Sequence, residues 1–357
     1  MTSIKLIIGI HPDTSGKESY SEKWKQYIQL KGHTVIDLDL LSPDALEQAK
    51  KCDGVMCRYF HNPQDKQSLK KILYTIEHYL NIPIFPNEYT SWHFDEKVAQ
   101  FYLFTSLGAP TPKTWVFWNY ETAIRWASEI KYPVIWKLSS GAGSANVLKI
   151  ENSKQAIEHI NKSFKQGIFP YTLNEFRINL LSLSNFYRMI KRMKYAFIYI
   201  IKDRYPPLPK NNWKPEFGYA YFQEFLPDNE YDTRIVIIGD RAFGFRRMNR
   251  ENDFRASGSE IIIQGPDLID KKFIKIAFEI SKKCSFQSMA YDFMFNAEKE
   301  PVLTEISYTF PDNNTYKCPG HWNSNMDWIE GHMWPEEAQV EDFLEKIKSF
   351  NEKRKFS

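Results

Sequence analysis

The first ninety residues alternate short apolar runs with amphipathic ones, and that order leaves few folds open. Residues 4–10 read as a buried strand and 20–30 as a helix ended by Lys31-Gly32. A second strand is expected over 35–40, a helix over 44–51, a third strand over 55–59, a helix over 67–80 and a short fourth strand over 83–86. Strands separated by helices pair in parallel, so residues 1–89 are expected to form a small parallel α/β domain. No Gly-x-Gly-x-x-Gly follows the first strand, which argues against a dinucleotide site there.

A different pattern begins near Thr90. A helix over 95–106 stops at Leu107-Gly108, and Pro110 and Pro112 prevent its continuation. Next come a strand (115–118), a helix (121–129) and a strand (134–138). The last runs into Ser139-Ser140-Gly141-Ala142-Gly143-Ser144-Ala145 before a returning strand at 147–150. From Tyr219 onward the reading is antiparallel. Strands 233–238 and 241–247 pair across Gly239-Asp240, and strands 289–295 and 302–308 flank a polar turn. A strand over 219–225 and a helix over 273–282 complete the region, and residues 346–357 read as a charged tail that continues a helix end. With 357 residues, two or three packed units are expected.

Apolar residues make up 43% and charged residues 25%, which excludes a disordered or collagen-like chain. Four cysteines, at 52, 57, 284 and 318, form no disulfide framework and suit free thiols in a reducing cytosol. The start resembles a first strand, not a signal peptide, and no apolar run approaches the ~20 residues of a membrane span. The expectation is a soluble, cytoplasmic protein. Its charge is uneven. Ten Lys or Arg face two acids between Ser163 and Pro215, +8 in a chain of net +3, which leaves −5 elsewhere. Helical spacing of Leu173, Phe176, Leu180, Leu183, Tyr187 and Ile190 makes this a helical basic insert, closed by the Pro-rich stretch 205–215. It points to a local anionic partner and not to nucleic acid.

The last hairpin carries the clearest chemistry. Pairing Phe295 with Val302 sets Asp292 opposite Glu305. Tyr291, Phe293, Phe295, Val302 and Ile306 then share an apolar face, and Asp292, Glu305 and Ser307 the other. Opposed carboxylates ~4.5–5.5 Å apart repel unless a cation intervenes. That cation is either Mg²⁺ held with substrate phosphates or a neighbouring Lys or Arg. The loop 139–145 is small and rich in backbone N–H groups, and Lys137 precedes it; such a loop either holds phosphates or simply turns the chain. Arg234, Arg246, Arg247 and Arg255 cluster around the middle hairpin, where guanidiniums either meet phosphate or make surface ion pairs. Cys318, His321 and His332 fit no zinc arrangement. Trp322, Trp328 and Trp334 serve as core or as stacking surfaces for a sugar or partner. No Ser or Cys is matched to a histidine as in a hydrolase triad.

The order of these features is more specific than any one of them. Asp95-Glu96-Lys97 opens a helix, and Pro133 to Lys137 leads into the small-residue loop. Gln223-Glu224-Phe225-Leu226, Asp232-Thr233-Arg234, Gly239-Asp240, Asp253-Phe254-Arg255, Asp292 and Glu305-Ile306-Ser307 follow. This resembles the ATP-grasp superfamily of carboxylate–amine ligases, particularly its glutathione-synthetase-like and ribosomal-protein glutamate-ligase branches, over about residues 90–308. Residues 318–344 further resemble ATP-grasp proteins of capsule and O-antigen synthesis. The implied fold mixes α/β and α+β: a preATP-grasp-like domain (1–89), an ATP-grasp domain (90–345) whose lid covers 113–226 with the basic insert, and the tail.

The implied cofactors are ATP and Mg²⁺. By the resemblance, Lys97 and Lys137 contact the nucleotide's phosphates, and Ser139, Ser140, Gly141, Gly143 and Ser144 belong to the loop closing over them. Glu224, Phe225 and Leu226 face the adenine and Glu230 holds the ribose. Asp292, Glu305 and Ser307 ligate the metal. Ser307 stands where the family usually has Asn, so a hydroxyl or a water would replace that ligand. Arg247 and Arg255, with Arg246 and Arg234 as neighbouring candidates, stabilise the transferred phosphoryl group. The implied reaction joins a carboxylate, activated as an acylphosphate, to an amine. The insert then overhangs the cleft. It would recruit a carboxylate-bearing sugar such as a uronic acid, or rest on an anionic surface at the inner membrane. The alternatives are phosphoryl transfer to a glycan hydroxyl and nucleotide binding without turnover.

Overall fold

The computed structural model describes residues 5–13, 19–141, 146–170, 214–250, 255 and 261–356. Of the basic stretch 163–215 it therefore covers only the two ends, and the expected insert helices lie outside the described residues. Those ends meet: the backbone of Ile168 and Glu216 exchanges two hydrogen bonds of 2.9 Å.

The chain begins with strands β1 (Ile7–Ile10), β2 (Thr34–Asp37), β3 (Gly54–Met56) and β4 (Ile84–Phe85). They alternate with helices α1 (Tyr20–Leu30), α2 (Ala45–Ala49) and α3 (Pro63–His78). The four strands are parallel in the order β2-β1-β3-β4, as the alternation predicts. Helix α3 starts four residues before the expected 67. Asn62 accepts from the N–H of Gln64, and Pro63 takes the first helical position, where a missing N–H costs nothing.

The short helix α4 (Glu88–Ser91) leads into α5 (Lys97–Leu107), which ends on Gly108 with φ +64°. Strands β5 (Thr114–Phe117), β6 (Val134–Lys137), β7 (Val147–Ile150) and β8 (Ala220–Glu224) form a second, antiparallel sheet in the order β5-β8-β6-β7. It is backed by α6 (Tyr120–Glu129) and α7 (Ser153–Lys165).

The third sheet has seven strands. They are β9 (Tyr231–Ile238), β10 (Arg241–Met248), β11 (Ile262–Gln264), β12 (Ser288–Phe295), β13 (Pro301–Ser307), β14 (Gly320–Asn323) and β15 (Trp328–Glu330). They run β13-β12-β9-β10-β14-β15, with β11 also on β10. Helices α8 (Lys271–Cys284), α9 (Asp312–Tyr316) and α10 (Pro335–Phe356) complete the chain. Gly239 turns the β9–β10 hairpin at φ +54°, where a side chain would also strike the Asp342 carboxylate.

One core spans the first and third sheets, joining Val55, Tyr59 and Ile84 to Ile237, Tyr291 and Leu303. Residues 346–356 are the end of a helix, as expected, and that helix is anchored in the core. Val340, Phe343, Leu344 and Ile347 are buried with Ile8, Trp24 and Met56, so helix α10 is part of the first domain's core and crosses the boundary placed at 345. Trp322 is also core, at 2% exposure, and Trp334 stacks on Tyr316 with centroids 4.0 Å apart. Neither ring offers an open face of the kind a sugar needs. Among the described residues no helix is long and apolar enough to cross a membrane.

Candidate active site

Helix α5 has first-turn N–H groups with no acceptor inside the helix. The loop after β6 supplies one from another sheet. Lys97 N donates to the Ser139 carbonyl (2.8 Å) and Val98 N to the Ser139 hydroxyl (3.2 Å). Asp95, at φ +54°, makes the preceding turn. Lys97 is buried; its Nζ donates to the Gly141 carbonyl at 2.8 Å and lies 3.3 Å from Glu305 Oε1. Burial opposes its charge, but Glu305 and Asp95 outweigh burial and raise its pKa. Lys137, at the end of β6, donates to Gln223 Oε1 at 2.7 Å. Burial, with Lys97 nearby and only partial relief from Glu305, brings its pKa down to about 8.

The backbone donors of the loop are taken by carboxylates. Ser139 N and Ser140 N each donate to Glu216 at 3.1 Å, joined by the hydroxyls of Ser140 and Tyr219. Gly141 N donates to Asp95 Oδ1 at 2.7 Å. Successive N–H groups that converge on carboxylates form a niche of the kind that receives phosphate. Asp95 also accepts from Lys66 (2.8 Å) and lies 3.2 Å from His61. Burial works against its charge, yet His61 and Lys66 hold it down at about 2. Gly143 and Ser144 lie outside the described residues.

The third sheet supplies the other half. Asp292 on β12 is paired in register with Glu305 on β13 and with Arg234 on β9. The route to that pairing differs from the expected one. Phe295 meets Pro301, and a bulge between Asp292 and Phe293 restores the carboxylate pair. Leu303 therefore takes the core position expected of Val302. Thr304, the extra residue, bonds the Asp292 carbonyl at 2.9 Å.

Arg234 grips Asp292 with two bonds of 2.6 and 2.7 Å, and Arg247 reaches it at 2.8 Å while also clasping Asp232. Burial would raise Asp292, but two guanidiniums overcome it and hold the carboxyl well below its usual range. Among the described residues Asp232 bonds a single guanidinium, that of Arg247, and there burial prevails and raises the pKa. Arg246 alternates to the opposite face of β10, where its guanidinium lies 4.3 Å from the Tyr231 ring centroid. Of the adjacent arginines, Arg247 thus faces the carboxylates and Arg246 does not. Arg255 is half-buried between stretches outside the described residues.

Ser307 follows Glu305 on the same face of β13, and its hydroxyl donates to the Thr309 carbonyl at 2.8 Å. Among the described residues no group of three His, Cys, Asp or Glu gathers as a metal cage. The donor set at the sheet centre is Asp292 and Glu305. Two hard carboxylates fit Mg²⁺, which binds through one or two carboxylates together with phosphates and waters. The cluster sets Lys97, Lys137, Arg234 and Arg247 against Asp232, Asp292 and Glu305, with Asp95 and Glu216 on the neighbouring loop N–H groups that a phosphate would take over.

The expected adenine strand runs out of β8. Glu224 N is already bonded to the Lys113 carbonyl (2.8 Å), Phe225 stacks under Lys149 at 4.5 Å, and Leu226 is buried. Glu230 lines a cavity of about 220 Å³ with Asn229, Tyr231, Phe295 and Lys299. Sequence reasoning placed Gln223, Asp95 and Asp232 in the order of motifs without giving them a role, and did not name Glu216. For Asp232 a signal exists, since counting outward from Gly239-Asp240 places it opposite Arg247.

No family model matches the chain. The alpha-aminoadipate–LysW ligase LysX of Saccharolobus solfataricus is 20% identical over 236 residues, covering 66% of this chain and 69% of that protein. Among solved structures, the RimK domain ATP-grasp protein of Sphaerobacter thermophilus aligns with a TM-score of 0.52 at 12% identity, over 94% of this chain and 98% of the other. The ATP-grasp ligase PsnB, complexed with minimal precursor, Mg and ADP, gives 0.55 at 13% identity over 96% and 98%. D-alanine–D-alanine ligase of Bacillus anthracis gives 0.56 at 12% identity over 98% and 100%. Three sheets in this arrangement, with two lysines and two opposed carboxylates converging between them, give the chain a fold shared with these ATP-grasp ligases.

Proposed function

We propose that the protein is an ATP-dependent carboxylate–amine ligase, forming an amide through an acylphosphate with release of ADP. The observation that carries this reading is the convergence of Lys97, Lys137, Asp292 and Glu305 beside a loop whose N–H groups already hold carboxylates. Lys97 and Lys137 would hold the phosphates, and the N–H groups of Ser139, Ser140 and Gly141 would exchange Glu216 and Asp95 for phosphate oxygens. Asp292 and Glu305 would hold Mg²⁺, whose chemistry is to offset charge on the phosphates. Arg247 and Arg234, fixed by Asp232 and Asp292, would set their guanidiniums against the charge of the transferring group. Phe225 and Leu226 would face the base, and Glu230 the ribose.

The carboxylate substrate we propose is a uronic-acid sugar of a surface-polysaccharide precursor. Support for the sugar is the resemblance of residues 318–344 together with the +8 stretch, whose middle lies outside the described residues. ADP release with Mg²⁺ across uronic-acid nucleotides and amino acids tests both parts. Release requiring both a carboxylate and an amine supports the ligase. A stable phosphate ester in place of an acid-labile acylphosphate would mean phosphoryl transfer to a hydroxyl. No release with any pair would leave a nucleotide-binding protein.

The pKa of Lys137 gives a second test. With a pKa of about 8 it loses its proton just above neutrality in the free protein. A polyanion favours the protonated form, so nucleotide affinity should fall as pH rises through 8, by up to about tenfold per unit. Isothermal titration with a non-hydrolysable ATP analogue between pH 6.5 and 9.5 should show this fall, and Lys137→Arg should flatten it. An equal slope in both proteins would remove Lys137 from the phosphate site.

A further inference from the structure

The first sheet contains a second place built for an anion. Its order, β2-β1-β3-β4, means that the chain leaves β1 on one side and returns to the other with β3. In open parallel sheets ligands sit in the crevice at the carboxyl ends of the strands where the order switches. Arg58 stands there, two residues beyond the end of β3. Its guanidinium carbon lies 4.0 Å from the Tyr20 ring centroid and 4.5 Å from that of Phe60. One nitrogen donates to the Phe310 carbonyl at 3.3 Å. No carboxylate among the described residues pairs with it. Of the carboxylates around Tyr20, Asp312 and Glu336 lie 2.5 and 3.5 Å from Lys23 instead, and Asp13 accepts from Ser21 N at 3.4 Å.

The two rings and the carbonyl fix the guanidinium before any ligand arrives, and rings against its faces leave the donors on its edge. An edge of paired N–H groups matches a planar carboxylate held by two parallel bonds. This crevice is joined to the active site. The Tyr308 hydroxyl donates to the Tyr59 carbonyl at 2.8 Å and accepts from Tyr59 N at 3.1 Å. Five residues, at most ~18 Å of chain, separate Glu305 from Phe310.

We propose that Arg58 docks a non-reacting carboxylate of a substrate and thereby orients that substrate toward the Asp292–Glu305 face. Arg58 is a specificity residue by this assignment, and only the orientation toward the Asp292–Glu305 face rests on the ligase reading. Its test uses binding and not turnover, so the two ideas fail separately. Wild-type protein saturated with Mg²⁺ and a non-hydrolysable ATP analogue is titrated with glutamate, succinate and glucuronate, with glucose and inorganic phosphate alongside. At least one carboxylate should bind, and its Kd should rise tenfold or more in both Arg58→Lys and Arg58→Gln, since lysine keeps the charge but not the fork. Nucleotide affinity should stay within twofold. The assignment is overturned if no carboxylate binds the wild type, if Arg58→Lys binds it equally well, or if only phosphate binding responds to the substitutions. If one variant does not fold, the other decides.

Discussion

Asp292→Asn should reduce ADP release to roughly a thousandth of wild type or less and destabilise the fold by about 3–5 kcal/mol. Both effects arise from one position. Asp292 is the shared anion of Arg234 and Arg247, at 2.6, 2.7 and 2.8 Å, in a largely buried setting. An amide there leaves two guanidiniums with Asp232 as their remaining carboxylate, and breaking one side of a buried ion network is costly. The pKa direction agrees. The Asp292 carboxyl is depressed in the folded state, so its stabilising contribution is present above the ordinary aspartate pKa and is lost as pH falls through and below that range. Glu305→Gln separates chemistry from stability. Glu305 keeps about a third of its side-chain surface, 35%, and its charged partner is Lys97 at 3.3 Å. It should lose activity about as severely while its denaturation midpoint moves little. Urea denaturation and ADP release on both variants check this. A folded Asp292→Asn protein that retained magnesium-dependent turnover would refute the assignment of the sheet centre.

Much of this site was legible because hairpins are short-range objects. Once Gly239-Asp240 is recognised as a turn, alternation alone puts Asp232, Arg234 and Arg247 on one face and Arg246 on the other. The Asp292–Glu305 pairing also follows from spacing, but the bulge does not, because an extra residue in one strand leaves no mark on apolar alternation. Leu303 and Val302 are equally apolar, so only three-dimensional packing distinguishes them. Gln223, Asp95 and Glu216 could not be assigned roles for a different reason. Their partners lie on other elements, with 86 residues between Lys137 and Gln223 and 76 between Ser140 and Glu216. No local pattern encodes such contacts.

The C-terminal helix is the reverse case. Val340, Phe343, Leu344 and Ile347 stand at i, i+3, i+4 and i+7, a buried stripe that the surrounding charge masks in the sequence. The Asn62-Pro63 start of α3 was likewise visible, as a cap followed by a proline suited to the first turn. The fold class itself rested on element order, which long parallel and antiparallel stretches preserve even where individual ends shift by a few residues.

The protein should lose stability as pH rises from about 4.5 to 8, and Glu336→Gln should abolish that loss. Glu336 is fully buried near the start of α10, where that helix meets α1 and α9. Burial first, then the negative charge of Asp312, raises its carboxyl to about 8, although Lys23 lies 3.5 Å away and pulls the other way. Lys23 is closer to Asp312, at 2.5 Å, and holds the Asp312 pKa down against its own burial, while neither buried carboxyl oxygen of Glu336 has a hydrogen-bond partner among the described residues. The arrangement therefore places the negative charge on Asp312 and the proton on Glu336. An acid whose folded pKa lies above its unfolded value contributes stability fully below the unfolded pKa, and that contribution drains away up to the folded one. The loss should be on the order of a few kcal/mol at pH 9. Gln keeps the shape of the buried side chain and carries no ionisable proton, so Glu336→Gln should match wild type near pH 5 and exceed it near pH 9. Paired urea titrations across that range measure the difference directly. A gap that stayed constant with pH would mean that Glu336 is ionised in the fold and that Lys23 is shared between both carboxylates.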